Sequence, residues 1–285
     1  MTRPLLVLVF AGGIATTGSA QDSFAVFGGS QFTAGRYGGD RAVSTANFAV
    51  GAMATVGRWR WWATVPYIFQ DAATVRTVGA GMLPVGGAAH TEQSGSASGS
   101  AYNGMMGRLG MAGMNNGGSG MTGHAGHGDP LLRADVAVLG STAASQSLSL
   151  YSAVKVPFAS AKDGFGTGRW DEAVGATVAR HFTTFSVLAD VGYWHVGRRS
   201  GDPYRDVTSG TVTVARPLGS AGQTLYGSVI AATPFVDGSE GPVQVAAGWS
   251  YRFANRQSIT AMAGVGLTPT APAASLSATW QWGLR

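Results

Sequence analysis

Residues 128–171 read GDPLLRADVAVLG (128–140), STAAS (141–145), QSLSLYSAVKVPF (146–158) and ASAKDGFGTGRWD (159–171). In the first run Leu132, Ala134, Val136 and Val138 alternate with Arg133, Asp135, Ala137 and Leu139. In the third, Leu148, Leu150, Val154, Val156 and Phe158 alternate with Ser149, Tyr151, Ala153, Lys155 and Pro157. A period of two over ten or so residues, with one apolar face and one small or charged face, is the signature of a strand. A tight turn joins the two runs, and a longer polar loop leaves the second. This is the pattern of one hairpin of a transmembrane β-barrel.

The same unit recurs along the chain. Twelve strands are expected at about 23–33, 44–56, 58–69, 131–140, 146–158, 172–182, 185–196, 207–217, 224–235, 242–253, 257–268 and 274–284. In the tenth, Val243, Val245, Ala247, Trp249, Tyr251 and Phe253 form one face. Connections after even strands are short: Gly57, STAAS, Thr183-Thr184, GSAGQ and ANR. Those after odd strands are mostly longer and more polar, among them TAGRYGGDRAV, SAKDGFGTGRWD and GRRSGDPYRD. Short periplasmic turns, longer extracellular loops and an even strand number are the habit of bacterial outer-membrane barrels. The fold class is therefore all-β, an antiparallel transmembrane barrel of about twelve strands. Aromatic residues such as Trp59, Trp61, Phe182, Phe185, Phe235, Trp249, Trp280 and Trp282 lie near strand ends, where an interfacial girdle needs them.

Composition excludes the main alternatives. Of 285 residues, 12% are charged and 45% hydrophobic, against about 25% charge in a typical soluble domain. No apolar run reaches the 18 or so residues of a membrane-spanning helix. A soluble β-sandwich would carry charged outer faces, and here both faces are largely uncharged. The absence of cysteine removes disulfides, thiolate metal sites and a lipid-modified N-terminal cysteine. The net charge is +5 but scattered, so nucleic-acid binding is not expected. Arg3, the apolar stretch Leu5 to Ile14 and Gly18-Ser19-Ala20 make residues 1–20 a signal peptide, with a mature chain from Gln21. Residues 21–285 are then one outer-membrane barrel domain, whose partners are lipid, small solutes and the barrel-assembly machinery.

Gly128-Asp129, Lys155-Val156-Pro157 and Gly166-Thr167-Gly168-Arg169-Trp170-Asp171 resemble the outer-membrane family named for the meta-pathway of phenol degradation. Such proteins carry Gly-Asp opening a strand, Lys-x-Pro ending the next and a Gly-x-Gly-x-x-Asp-like loop; Val65-Pro66-Tyr67 is similar to a family element too. The resemblance covers about 45 residues well and implies an outer-membrane porin or transporter, sometimes associated with uptake of aromatic compounds. Family barrels close with a terminal aromatic residue read by the assembly machinery. This chain instead ends Trp282-Gly283-Leu284-Arg285.

Two sets of residues carry functional expectations. By alternation Arg58, Arg60, Arg133, Asp135, Lys155, Asp190 and Arg252 point into the lumen. Rings of charge tune pore selectivity, and the positive excess predicts a weak anion preference; mutual pairing of these groups is the competing expectation. The function is then a pore or facilitator for small, aromatic or anionic solutes, needing no cofactor. Second, a Gly/Met/His-rich extracellular loop spans about 78–128 and is expected to gate or plug the mouth. Its Met105, Met106, Met111, Met114, Met121, His124 and His127 are soft ligands suited to copper(I) or silver, with Asp129 as an oxygen ligand. A copper-binding outer-membrane protein is the alternative function, and a structureless loop the bland reading of the same segment. Enzymatic activity is not expected: nothing in the sequence brings Ser152, His181 or His195 within the hydrogen-bond reach a nucleophile and base require.

Overall fold

The computed structural model describes residues 22–37, 42–70, 75–77, 84–86, 124–140, 144–159, 165–198, 202, 204–219 and 222–284. It begins with β1 (Ser23–Gly35), β2 (Val43–Val56) and β3 (Trp59–Gln70). A small hairpin, β4 (Val75–Thr77) and β5 (Pro84–Gly86), forms its own two-stranded sheet. β6 (His124–His127) and β7 (Leu131–Leu139) both lie antiparallel along β3, so together they make one interrupted wall strand. Then follow β8 (Gln146–Lys155), β9 (Asp171–His181), β10 (Ser186–Val196), β11 (Val207–Leu218) and β12 (Gln223–Ala232). β13 (Val243–Arg252), β14 (Gln257–Gly266) and β15 (Ala274–Gly283) complete the chain. Each wall strand pairs with the next in sequence, and β15 returns to β1 from Ala25↔Gly283 to Ala34↔Ala274. The barrel therefore has twelve staves and no open edge, as a spanning sheet requires, since hydrocarbon offers backbone amides no partner.

The twelve sequence-derived strands coincide with the twelve staves to within a few residues. One difference is instructive. The last part of the expected 78–128 loop, His124–His127, continues the fourth stave past Gly128-Asp129-Pro130. Proline cannot donate to a ladder, and the pairing resumes only beyond this break.

Period-two alternation sorts the side chains as expected. Val174, Val178, Val212 and Leu276 are among the large apolar residues left exposed on the outer face. Inward neighbours such as Ala173, Thr211, Ala215 and Ser275 are buried. An exposed apolar band around the whole circumference is a lipid-facing surface. At the short-turn end it is edged by stacked pairs, Trp59–Trp61, Phe182–Phe185, Trp249–Tyr251 and Trp280–Trp282. Phe235 departs from the expected girdle: it is buried with Val196 and Tyr204 beyond the outer end of β12. Two inward aromatics lie directly opposite glycines, Phe27↔Gly51 and Tyr151↔Gly175. A Cβ on either glycine would come within 2.3 Å of the ring, so glycine is what lets each ring lie against its neighbouring strand.

Candidate functional site: the lumen and its outer mouth

The inward charges lie on one side of the barrel and are paired. Arg60 on β3, Arg133 and Asp135 on β7, and Asp190 on β10 all project inward. Asp135 accepts from Arg133 Nη2 at 2.7 Å and Nε at 3.1 Å, from Trp62 Nε1 at 3.0 Å and from Arg60 Nη2 at 3.5 Å. Arg133 also lies 3.9 Å from Asp190 and stacks its guanidinium 3.6 Å over the Tyr151 ring. Asp190 accepts from Thr177 Oγ1 at 2.7 Å and Tyr151 Oη at 3.3 Å. Two guanidiniums thus face two carboxylates, and planar donors matched to fixed acceptors hold the network in one geometry. Trp62, Tyr151 and Thr177 were not among the expected site residues. Their inward register could have singled them out.

Lys155 belongs to a second network, at the outer mouth. Its Nζ donates to Asp129 Oδ2 at 2.5 Å and lies 3.1 Å from Asp171 Oδ2. Asp129 also accepts the backbone N–H groups of Phe158 at 2.9 Å and Ala159 at 2.8 Å, and Asp171 that of Gly197 at 2.9 Å. All three charged side chains are at most 3% exposed. The Gly-Asp, Lys-x-Pro and Gly-x-Gly-x-x-Asp elements each contribute to this network, through Asp129, Lys155 and Asp171. Gly166 must lack a Cβ, which would fall 2.5 Å from Asp129 Oδ2, and Thr167 Oγ1 lies 3.4 Å from Lys155 Nζ.

This knot holds the segment just before β9 inward. Phe165, Gly166 and Thr167 are buried, and Phe165 packs with Ala159 against Ile68 of β3. On β6, a Cβ at Gly126 would stand 2.6 Å from the Phe165 ring. The sequence reading made this stretch an extracellular loop because it is long and polar; the burial of residues 165–167 accompanies the knot.

The remaining expected residues are placed differently. Arg58 sits exposed in the Gly57-Arg58 turn, one residue short of β3, and Arg252 is the exposed last residue of β13 at the same rim. Asp129, expected as an oxygen ligand for copper, has both carboxylate oxygens engaged by Lys155 and backbone N–H groups. Met105, Met106, Met111, Met114 and Met121 lie outside the described residues, as does the signal segment 1–20. His124 opens β6 and pairs through its backbone with Gln70. The His127 ring stands edge-on to Tyr67 at 5.0 Å on the outer face. Among the described residues there is no cluster of three metal-binding side chains. Ser152 faces outward, His195 is half-exposed 3.8 Å from Asp206, and His181 Nδ1 lies 2.8 Å from Ser186 Oγ.

Elsewhere on the wall, inward hydroxyls bond one another. Thr213 bonds Ser228 at 2.9 Å, and Tyr226 bonds Ser250 at 2.6 Å.

The fold matches a crystal structure of an outer-membrane channel from Pseudomonas putida F1 with TM-score 0.64, covering 97% of this chain and 100% of that one at 12% identity. This chain has the fold of an outer-membrane β-barrel. The CymD monoaromatic hydrocarbon channel gives TM-score 0.42 at 11% identity, covering 92% of this chain and 88% of that one. The P. putida toluene transporter TodX gives 0.39 at 9%, covering 92% and 89%. No family model matches the sequence, and no curated protein matches it.

Proposed function

We propose that the barrel is a narrow passive pore for small solutes, of the kind found in the meta-pathway outer-membrane family. The observation that carries this reading is the neutralised lumen: paired ions on β3, β7 and β10, and hydroxyls that bond one another on β11, β12 and β13. Pairing inside the lumen removes the anion preference that a positive ring would confer, because Arg60 and Arg133 are balanced by Asp135 and Asp190. The Lys155 knot adds one cation against two carboxylates. The family resemblance is supported by the convergence of its three motif elements on that knot, and the channel reading by the likeness in fold to the P. putida channel. Diffusion through such a path needs no cofactor.

The test is single-channel recording of the refolded barrel in a planar bilayer. The expected result is stepwise conductance with nearly equal permeability to K⁺ and Cl⁻. A folded barrel that conducts nothing would overturn the proposal, and strong anion selectivity would overturn its electrostatic part.

A further inference from the structure

Most inward hydroxyls described above find one another, as do Tyr37 Oη and Thr33 Oγ1 at 2.9 Å. Against that background a few buried groups stand out, for among the described residues they have no hydrogen-bond partner. On the β2–β3 wall these are both ends of the Asn47 carboxamide, both ends of the Gln70 carboxamide, and the hydroxyls of Thr45 and Thr64. Asn47 and Gln70 are 2% and 3% exposed. Thr45 and Gln70 are direct cross-strand partners, and Asn47 is the next inward residue along β2 from Thr45. Each carboxamide offers a donor and an acceptor, so the patch presents mixed hydrogen-bonding capacity in a small area.

A second set faces it. Trp194 Nε1, Ser209 Oγ and Thr211 Oγ1 are likewise buried without partners, on β10 and β11. Counting staves from β1, β2 is the second and β11 the eighth, half-way round a ring of twelve. Apart from Thr64, at the middle of β3, both sets lie in the outer halves of their strands. Unpaired polar groups are costly when buried and correspondingly rare in folded chains. The grouping of these neutral amides, hydroxyls and one indole N–H on two opposed walls points to something that completes them.

We propose that these walls form a binding station for a neutral, polyhydroxylated solute, a sugar or polyol. The charge is the first discriminator, since every group in the station is uncharged and the lumen's ions are already paired. Hydrogen-bonding character is the second. An apolar solute would leave both carboxamides unsatisfied, whereas adjacent hydroxyls are each donor and acceptor and match Asn47, Gln70 and Thr45 together. Trp194, whose ring is packed among Leu131, Ala153, Ala173 and Val207, adds an indole N–H donor to the second set.

The proposal rests on the pore reading for access from outside, and the experiment separates the two. Equilibrium binding of labelled arabinose to the refolded barrel in detergent tests the station, while ion conductance in a bilayer tests the pore. Saturable arabinose binding is expected, weakened about ten-fold or more in Asn47→Leu/Gln70→Leu and unchanged in Ala52→Leu on the outer face of β2. Should the double variant fail to fold, the single variants Asn47→Leu and Gln70→Leu each remove one carboxamide, and each should weaken binding several-fold. Binding that never saturates, or that ignores these substitutions, removes the station and leaves the pore standing. Saturable binding in a barrel that conducts nothing keeps the station and removes the pore.

Discussion

Replacing Lys155 with methionine is the sharpest perturbation of the outer mouth. Methionine fills similar volume, so the change is one of charge. It leaves Asp129 and Asp171 as buried carboxylates at 3% and 0% exposure. Removing one partner of a buried ion pair costs about 3–5 kcal/mol. Two features moderate the loss here: Asp129 keeps two backbone N–H donors and Asp171 keeps one. The single changes Asp129→Asn and Asp171→Asn should each cost less, about 1.5–3 kcal/mol, because Lys155 retains one carboxylate in either case. Equilibrium urea unfolding of the barrel in lipid vesicles reads these differences. Pairing Lys155→Met with Asp171→Asn completes a cycle, and the double variant should lose less than the sum of the singles. A Lys155→Met loss below about 1 kcal/mol, or strict additivity, would refute the account of the knot as a mutually compensating ionic unit.

Three further outcomes are expected. Asp135→Asn leaves Arg60 and Arg133 with less compensation, so the reversal potential in a KCl gradient should move towards that of chloride; an unmoved potential counts against the paired network. Phe165→Ala should raise single-channel conductance by clearing the mouth, and Gly126→Val, whose side chain would meet that ring, should displace the loop and do the same; unchanged conductance in both would mean that Phe165 does not narrow the path. Ala176→Arg, on the outer face at mid-strand between Leu150 and Val191, should destabilise the barrel by about 2–4 kcal/mol in vesicle unfolding, and a cost near zero would contradict the assigned lipid face.

The stave count was legible because each wall strand needs a lipid face, and lipid tolerates no lapse in alternation at mid-depth. The inward register of Arg60, Arg133, Asp135, Lys155 and Asp190 follows from the same rule. What alternation cannot convey is which inward groups meet. Arg133 reaches Asp135 two residues along its own strand and Asp190 three staves away, and both distances depend on barrel curvature. Arg58 was assigned inward by parity, but parity has no meaning in a turn. The knot was visible only as a family-like motif. Its chemistry required knowing that residues 129, 155 and 171 end neighbouring strands at one rim. Asn47 and Gln70 drew no attention because an amide on a lumen face is unremarkable until its neighbours are seen to leave it unpaired.

The knot also bears on how the barrel comes to be assembled correctly. Its three charges sit on three successive segments, at the ends of β8 and β9 and in the break between β6 and β7. A slip of β8 by a single residue would turn Lys155 from the interior to the hydrocarbon side, stranding the ammonium in lipid and two carboxylates in the wall. The misaligned barrel would thus be penalised on both its surfaces at once. A strand sequence made mostly of Ser, Ala, Val and Leu carries little side-chain information to distinguish one alignment from the next. One lysine placed between two aspartates supplies a proofreading mark for that alignment.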